Sequence, residues 1–172
     1  MTQSEASQFG EAFVGTGAEA AHVNTVLGRK GGPVETSFTT ALATPRQGHS
    51  AFVTVVRPGM AVKPLTLFVN KAAIAGERHS ALTWGAAQAG VASGVLWAVA
   101  DGVIAGADVD DVLLIAAVWV DPEAGSESLV YENNRRATRD ALEAGRLRLP
   151  PLDDLLAVAN TPANPFFGLR LD

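Results

Sequence analysis

Apolar and polar side chains alternate along residues 21–27, which is the pattern of a β-strand with one buried face. His22 and Asn24 fall together on one side of this strand, two residues apart. A titratable ring and an amide therefore sit where most strands carry apolar groups, and this face is the first place to look for chemistry. Val26 shares their side, and the opposite side consists of Ala21, Val23, Thr25 and Leu27.

Other segments show strand or helix patterns in turn along the chain. Strands are predicted at residues 10–14, 50–56, 65–70 and 112–120. Helices are predicted from Pro33 to the residues before Pro45, over 126–144 with Gly145 as its C-terminal cap, and from Leu152. Because strands and helices interleave, the pattern predicts a two-layer α/β or α+β domain.

Two further polar side chains stand out on these elements. Lys71 follows the strand at 65–70 and shares the parity of Leu67 and Val69, so its ammonium lies just beyond an apolar face. It is either a solvated strand end or a functional group. Gln88 lies in a segment without formal charge between Arg78 and Asp101, whose many small residues favour a buried or subunit-facing helix over a membrane span.

Composition narrows the class of protein. The 172 residues suit one domain over the whole chain, 1–172, with residues 1–8 as a flexible arm. Hydrophobic residues make up 48% and charged residues 18%, which indicates surface buried in an oligomer. A net charge of -5 argues against a nucleic-acid partner. The absence of cysteine and of an evident signal peptide favours a cytoplasmic protein that is not bound to a membrane.

Motifs alone do not identify a reaction. The sequence lacks the fingerprints of phosphate loops, zinc proteases and serine hydrolases. Its three histidines are scattered, so we expect no metal site. His49 and His79 are predicted to be exposed and without function. His22, in the middle of a strand beside Asn24, is either a satisfied core histidine or a catalytic one.

Several motifs together resemble one known family. The run G-E-A-x-V-G, then A-H, then G-x-P-x-E-x-x-F, is followed by V-N-K and W-G-A-A-Q. In this order and spacing, from about Phe9 to Phe167, it resembles the formaldehyde-activating enzymes, the tetrahydromethanopterin hydro-lyases of methylotrophic bacteria and methanogenic archaea.

The resemblance implies a fold, an assembly and a reaction. The fold would be an α+β two-layer sandwich of a mixed sheet with helices on one face, like domain 2 of the fifth small-subunit ribosomal protein. The assembly would be a homopentamer with active sites between subunits. The reaction would condense formaldehyde with tetrahydromethanopterin, a co-substrate, to methylene-tetrahydromethanopterin and water. No metal would take part.

The family's site residues carry over unevenly. Its histidine acid matches His22, the general acid for loss of water from the carbinolamine. Its pocket lysine and glutamine match Lys71 and Gln88, and a further pocket position matches Val53. The family's aspartate two residues after the histidine is replaced by Asn24, and its hydroxyl residue two after the lysine is Ala73.

These departures keep two hypotheses open. In the first, the chain is an enzyme that carries out the family reaction, with His22 as acid and Lys71, Gln88 and Asn24 holding the pterin. In the second, it is a paralogue that binds another pterin, folate or carbonyl compound as a sensor or carrier. The amide of Asn24 can form hydrogen bonds, but it lacks the charge that would balance a cation or tune His22.

Overall fold

A computed structural model describes residues 7–164 and 167–168 of the chain. Its strands are β1 (Gln8–Val14), β2 (Ala21–Arg29), β3 (Phe52–Val53), β4 (Val55–Arg57), β5 (Met60–Ala61), β6 (Leu65–Asn70), β7 (Val112–Trp119), β8 (Ala163–Asn164) and β9 (Phe167–Gly168). Its α-helices are α1 (Pro33–Ala43), α2 (Gly76–Ala81), α3 (Gln88–Ala100), α4 (Glu127–Leu147) and α5 (Leu152–Ala157). A π-helical segment, Leu82–Ala87, joins α2 to α3.

Five strands of the described chain form a mixed sheet in the order β1-β2-β7-β6-β3. The β6–β7 pair is parallel, and the other three pairs are antiparallel. The central strand β7 is almost continuously apolar, as expected of a strand covered on both faces. The short hairpins β4–β5 and β8–β9 lie outside this sheet.

The larger core lies between one face of the sheet and the helices α3 and α4. It contains Val23 and Leu27 of β2, Phe68 of β6 and Leu114 of β7. The alternation predicted for β2 is confirmed, because Ala21, Val23, Thr25 and Leu27 are buried while His22, Asn24 and Val26 are only partly covered. His22 and Asn24 therefore lie on the face that α3 and α4 leave open.

The mixed sheet with helices in an α+β arrangement is confirmed. The packing differs from the expectation of helices on one face only, because α1 covers part of the other face. Val34 and Phe38 of α1 form a second core with Leu67 and Leu113. Helix α1 follows β2 directly and its apolar stripe packs onto the odd-numbered side chains at one end of β6 and β7. The other end of this face, around His22, is not covered by α1.

Small residues bring α3 and α4 into close contact, as the sequence predicted for a buried helix. A methyl group placed on Gly90 would lie 2.4 Å from the carbonyl oxygen of Tyr131, and one on Gly94 would lie 2.4 Å from that of Arg135. Asn134 is buried at this contact, and its Nδ2 donates to the Val130 carbonyl. It is thus a core polar residue of the helix pair.

Some predicted boundaries were wrong. The strand expected at 50–56 is divided at Thr54, whose N–H donates to Thr66 and whose carbonyl accepts from Val62. Helix α4 runs through Gly145 to Leu147 and ends at Arg148 in the left-handed conformation. Gly145 serves close packing instead, since a methyl group there would lie 3.1 Å from the Phe9 carbonyl.

The N-terminal end of the chain also differs from the expectation. Gln8 begins β1 and is paired with Leu27, so the predicted arm of residues 1–8 is too long. Residues 1–6 lie outside the described residues.

Among the helices that are described, none combines the length and the apolar character needed to cross a bilayer.

Candidate active site

Strands β1 and β2 place a carboxylate beside His22. Their antiparallel register sets Glu11 opposite Asn24 and Phe13 opposite His22, all on the open face. His22 Nε2 lies 3.0 Å from Glu11 Oε1. Because a carboxylate only accepts hydrogen bonds, Nε2 carries the proton and donates it, which leaves the lone pair of the neutral ring on Nδ1.

Lys71 reaches the same open face from the other side of β7. Its backbone N–H donates to the Val118 carbonyl, which extends the β6 register by one residue. Its Nζ donates to Asn24 Oδ1 at 2.7 Å. The two residues are on strands separated by β7, roughly 10 Å apart, and Ala117, opposite Asn24, has a side chain small enough to leave the path open. A long side chain at the end of β6 is what makes the contact.

The environment of His22 favours its neutral form. Partial burial lowers the pKa of the imidazole, and the positive charge of Lys71 lowers it further. Glu11 acts in the opposite direction through its charge and its hydrogen bond but does not cancel the other two effects. At neutral pH the resting ring is therefore mostly uncharged and can accept a proton.

Burial also acts on Lys71. It lowers the pKa of the ammonium to about 8, against a weaker opposing effect of the Glu11 charge. Asn24 supplies a hydrogen-bond acceptor but no negative charge, so the contact with Nζ does little to hold the proton. Although the sequence indicated that Asn24 cannot balance a cation, its amide oxygen is a direct partner of Lys71.

A cleft of about 1030 Å³ opens beside His22. That volume suits an extended small molecule. Besides His22, the residues that line it include Glu11, Phe13, Trp119, Asp121 and Asn164. Asn164 lies in β8, so the C-terminal hairpin forms part of the wall. The cleft combines two aromatic rings with carboxylates and an imidazole, a mixture that fits a polar heterocycle.

The structure does not bring all the predicted site residues to this cluster. His22, Asn24 and Lys71 are together. Gln88 is buried at the start of α3, on the far side of the sheet, where its Oε1 accepts from the Val55 N–H at 2.7 Å. Val53 points to the same face as Lys71 but pairs with Leu67, four residues back along β6, which is roughly 13 Å away.

Ala73 lies in the loop after β6. Its methyl group packs on the turn at Gly48, where a Cβ would come within 3.2 Å of it. Asn70 ties this loop in place, since its Nδ2 donates to the carbonyls of Gly48 and Ala72. The Asn70 side chain, next to Lys71, therefore ties the loop after β6 to the turn at Gly48.

Glu11, Phe13 and Trp119 were missed as site residues. The signal was available for Glu11 and Phe13, because alternation in β1 places both on one face, but only the pairing of β1 with β2 brings them to His22. The Phe13 ring lies 6.1 Å from the His22 ring. Trp119 is opposite His22 on β7, a contact that no local pattern could predict.

The expectation of exposure for His49 and His79 was wrong. His79 is fully buried, with Nδ1 accepting from the Ala75 N–H and Nε2 donating to the Val120 carbonyl, both at 3.0 Å. His49 is half-buried and its Nδ1 donates to the Asn70 carbonyl. Both use their ring nitrogens to hold loops. Within residues 7–164 and 167–168, no three or more histidine or carboxylate side chains are grouped so as to hold a metal ion.

Comparison with known proteins bears directly on this cluster. The sequence model of the formaldehyde-activating enzyme family matches residues 9–167. The chain is similar to the 5,6,7,8-tetrahydromethanopterin hydro-lyase of Methanosarcina barkeri, with 40% identity over 160 residues, 93% of this chain and 90% of the relative. It is also similar to the bifunctional enzyme Fae/Hps of Methanosarcina mazei, with 34% identity over 164 residues.

A third relative is the bifunctional enzyme Fae/Hps of Archaeoglobus fulgidus, which is 33% identical over 164 residues. The chain spans 42% of the length of each of these two bifunctional enzymes. The family match covers nearly all of the chain, including both strands that hold the Glu11–His22 pair and the segment that ends in Lys71. The chain belongs to the formaldehyde-activating enzyme family.

Proposed function

We propose that this protein condenses formaldehyde with tetrahydromethanopterin to give methylene-tetrahydromethanopterin and water, with His22 moving the protons. The observation that carries the proposal is the Glu11–His22 pair in the wall of the cleft, with the Asn24–Lys71 pair on the same face of the sheet. Family membership and the similarity to a tetrahydromethanopterin hydro-lyase supply the substrates.

The lowered pKa of His22 fits a proton shuttle. One amine of the pterin attacks the aldehyde carbon, and the neutral imidazole takes the proton that this nitrogen releases and passes it to the aldehyde oxygen, which gives the carbinolamine hydroxyl. The imidazole then takes a proton from solvent and gives it to this hydroxyl, which leaves as water and forms an iminium ion. The second amine closes the ring, and its proton returns to solvent. In the net reaction two amine protons and the aldehyde oxygen become water, and His22 ends as it began.

Glu11 is a positioning residue in this scheme. By accepting from Nε2 it fixes the tautomer of His22 and directs the other ring nitrogen toward the substrate. Its carboxylate also stabilises the imidazolium that forms during the shuttle. These two contributions resemble those of a buried aspartate behind a catalytic histidine, although Glu11 is more exposed.

The remaining predicted residues would hold the pterin. Lys71 and Asn24 offer an ammonium and an amide beside His22, while Val53, Ala73 and Gln88 lie away from them in the same chain. An active site between subunits, with the second group supplied by a neighbour, accounts for this separation. We therefore retain the homopentamer, in the cytoplasm and without metal, as part of the proposal.

The first test follows methylene-tetrahydromethanopterin formation from formaldehyde and tetrahydromethanopterin against the spontaneous rate. We expect acceleration by the protein and a loss of about 100-fold or more with His22→Ala, because a positioned acid–base group contributes on that order. Lys63→Met is the control for a substitution away from the site. Lys63 precedes β6, at the end of the strand opposite Lys71, and pairs with Asp110. A fully active His22→Ala variant would contradict the assigned role.

One observation favours a second candidate. Asn24 stands where the family has an aspartate, and it removes a charge from the contact with Lys71. A paralogue that binds another pterin, a folate or a carbonyl compound without turnover would tolerate this change. Titration calorimetry with tetrahydromethanopterin and tetrahydrofolate separates the two. Tighter binding of the folate, without acceleration of either condensation, would favour the paralogue.

A further inference from the structure

We infer that Lys71 is a nucleophile for the aldehyde, and that its side-chain nitrogen captures formaldehyde as a covalent iminium before the carbon passes to the pterin. The inference rests on the proposed function for the identity of the aldehyde, but the capture itself requires no pterin. It gives Lys71 a role beyond holding a ligand.

The contacts of Lys71 leave its nitrogen available. Nζ is half-buried, and Asn24 Oδ1 is its hydrogen-bond acceptor. Glu11 bonds to His22, and no described carboxylate comes within ion-pair distance of Lys71 Nζ. A lysine that meets a neutral amide in a partly dry site keeps its proton less firmly than one paired with a carboxylate.

The charge state agrees with this geometry. With a pKa of about 8 for Lys71, roughly a quarter of the side chains are uncharged at pH 7.5, against on the order of one in a thousand for an ordinary lysine. The uncharged amine is the form that attacks a carbonyl. The charge of Lys71 lowers the pKa of His22, so the two groups lie near enough to influence each other's protonation.

The step balances with the groups present. Lys71 gives one proton to neutral His22, and the resulting amine attacks the formaldehyde carbon while the carbonyl electrons move to oxygen. A proton passes from nitrogen to that oxygen, which gives a carbinolamine. His22 returns its proton to the hydroxyl, the carbon–oxygen bond breaks, and water leaves as the nitrogen lone pair forms the iminium. An ammonium and formaldehyde have become an iminium and water.

Transfer to the pterin then follows by exchange of amines. A pterin nitrogen adds to the iminium carbon and its proton passes to the Lys71 nitrogen, which then departs as an amine with the electrons of its bond to that carbon. This leaves the iminium on the pterin, and the proton that the second pterin amine loses on ring closure restores the Lys71 ammonium. The overall reaction is unchanged, but one difficult condensation is divided into two easier steps.

The chain offers two matched controls for the test. Its other lysines, Lys30 and Lys63, are both exposed and both bind Asp110: Lys30 Nζ donates to the backbone carbonyl at 2.6 Å, and Lys63 Nζ lies 2.7 Å from the carboxylate. Neither is half-buried against a neutral amide. Any special reactivity of Lys71 can therefore be measured against two ordinary lysines in the same protein.

The experiment treats the full chain, without pterin, with a limiting amount of formaldehyde and cyanoborohydride near pH 7.5. Hydride reduces an iminium to a stable N-methyl group, and peptide mapping locates each added methylene by mass. We expect Lys71 to be labelled at least 10-fold faster than Lys30 or Lys63. Asn24→Asp, which places a carboxylate on Nζ, should slow labelling of Lys71 alone. Equal labelling of all three lysines would overturn the inference.

Kinetics provide a second readout that a merely charged role would not change. Lys71→Arg keeps a cation for binding but removes the nucleophile, because guanidinium stays protonated. We expect kcat to fall at least 10-fold while KM changes little; retention of kcat would overturn the inference. Lys71 labelled without acceleration of methylene-tetrahydromethanopterin formation would remove the proposed function and leave the capture standing. Acceleration with unlabelled Lys71 would do the reverse.

Discussion

Asn24 determines the charge balance of the open face through one hydrogen bond. It orients Lys71 Nζ without neutralising it, so the Lys71 charge acts on His22 as well as being destabilised itself. Burial lowers the pKa of both groups, and the Lys71 charge lowers that of His22 further. An aspartate at the same position would stabilise the protonated form of Lys71, and its negative charge would offset part of the effect of the Lys71 charge on His22. A single change from carboxylate to amide thus alters two titrating groups.

This arrangement has a cost in stability, which Lys71→Met should reveal. A half-buried ammonium without a charge partner opposes folding. At pH 7 we therefore expect the free energy of unfolding of the variant to exceed that of the wild type by a few tenths to about 1 kcal/mol, which allows for the part of the side chain that faces water. Urea titration at fixed protein concentration measures the difference.

The sign of the pH effect follows from the pKa of Lys71. Folding lowers it from 10.5 to about 8, so between these values the unfolded chain binds more protons than the folded chain. The stability of the wild type relative to Lys71→Met therefore rises with pH across that window. The advantage of the variant should shrink between pH 8 and pH 10, and an advantage that stays constant would contradict this account.

At the scale of elements, the closeness of α3 and α4 depends on glycine. Gly94→Ala would place a methyl group 2.4 Å from the Arg135 carbonyl oxygen and 2.8 Å from Thr138 Cβ, and neither neighbour can move without shifting a helix. We expect a loss of about 2–3 kcal/mol in the free energy of unfolding, as for an overpacked core. Thermal or urea unfolding, at the same protein concentration for all variants, tests this.

Gly85→Ala provides the matched control. Gly85 lies in the π-helical segment, and a methyl group there would meet no atom within 4 Å. The change should be neutral or raise stability by up to about 1 kcal/mol, because alanine loses less conformational entropy than glycine in a helix. Similar losses for both variants would show that the helix contact is not the cause.

The elements also show where sequence reasoning succeeds and stops. Strand β2 was predicted closely because buried and partly covered side chains alternate along it. Strand β6 was predicted from its apolar run, which is covered on both faces, and Lys71 was correctly placed at its end. The contact between Lys71 and Asn24 was not predictable, since it depends on β7 lying between their strands with Ala117 in the path. His79 was misjudged because one of its partners, Val120, is 41 residues away and is brought to it only by the tertiary fold.

At the scale of the whole molecule, the separation of the predicted site residues suggests a test of the assembly. If the site lies between subunits, His22 from one chain works with Gln88 from a neighbour. Co-expressing His22→Ala with Gln88→Ala, each carrying a different tag, would then assemble some sites with neither substitution. We expect mixed oligomers to recover roughly a quarter of wild-type activity, since two independent half-occupancies combine at each interface.

Each variant assembled alone is the control and should stay inactive. Purification through both tags in sequence ensures that the measured particles contain both chains. Inactive mixed oligomers, with each variant folded by circular dichroism, would place all the working residues in one chain and contradict the shared site.

The position of β7 in the sheet has a consequence for how the protein is made. Before β7 is made, β1 can pair only with β2, and β6 only with β3, which would give two half-sheets with unpaired inner edges. Their common partner, β7, is synthesised more than forty residues after β6 ends. Until then both apolar edges are open to strands of other nascent chains. We expect slowed translation between β6 and β7 to increase aggregation, and chaperone binding to be strongest in that interval.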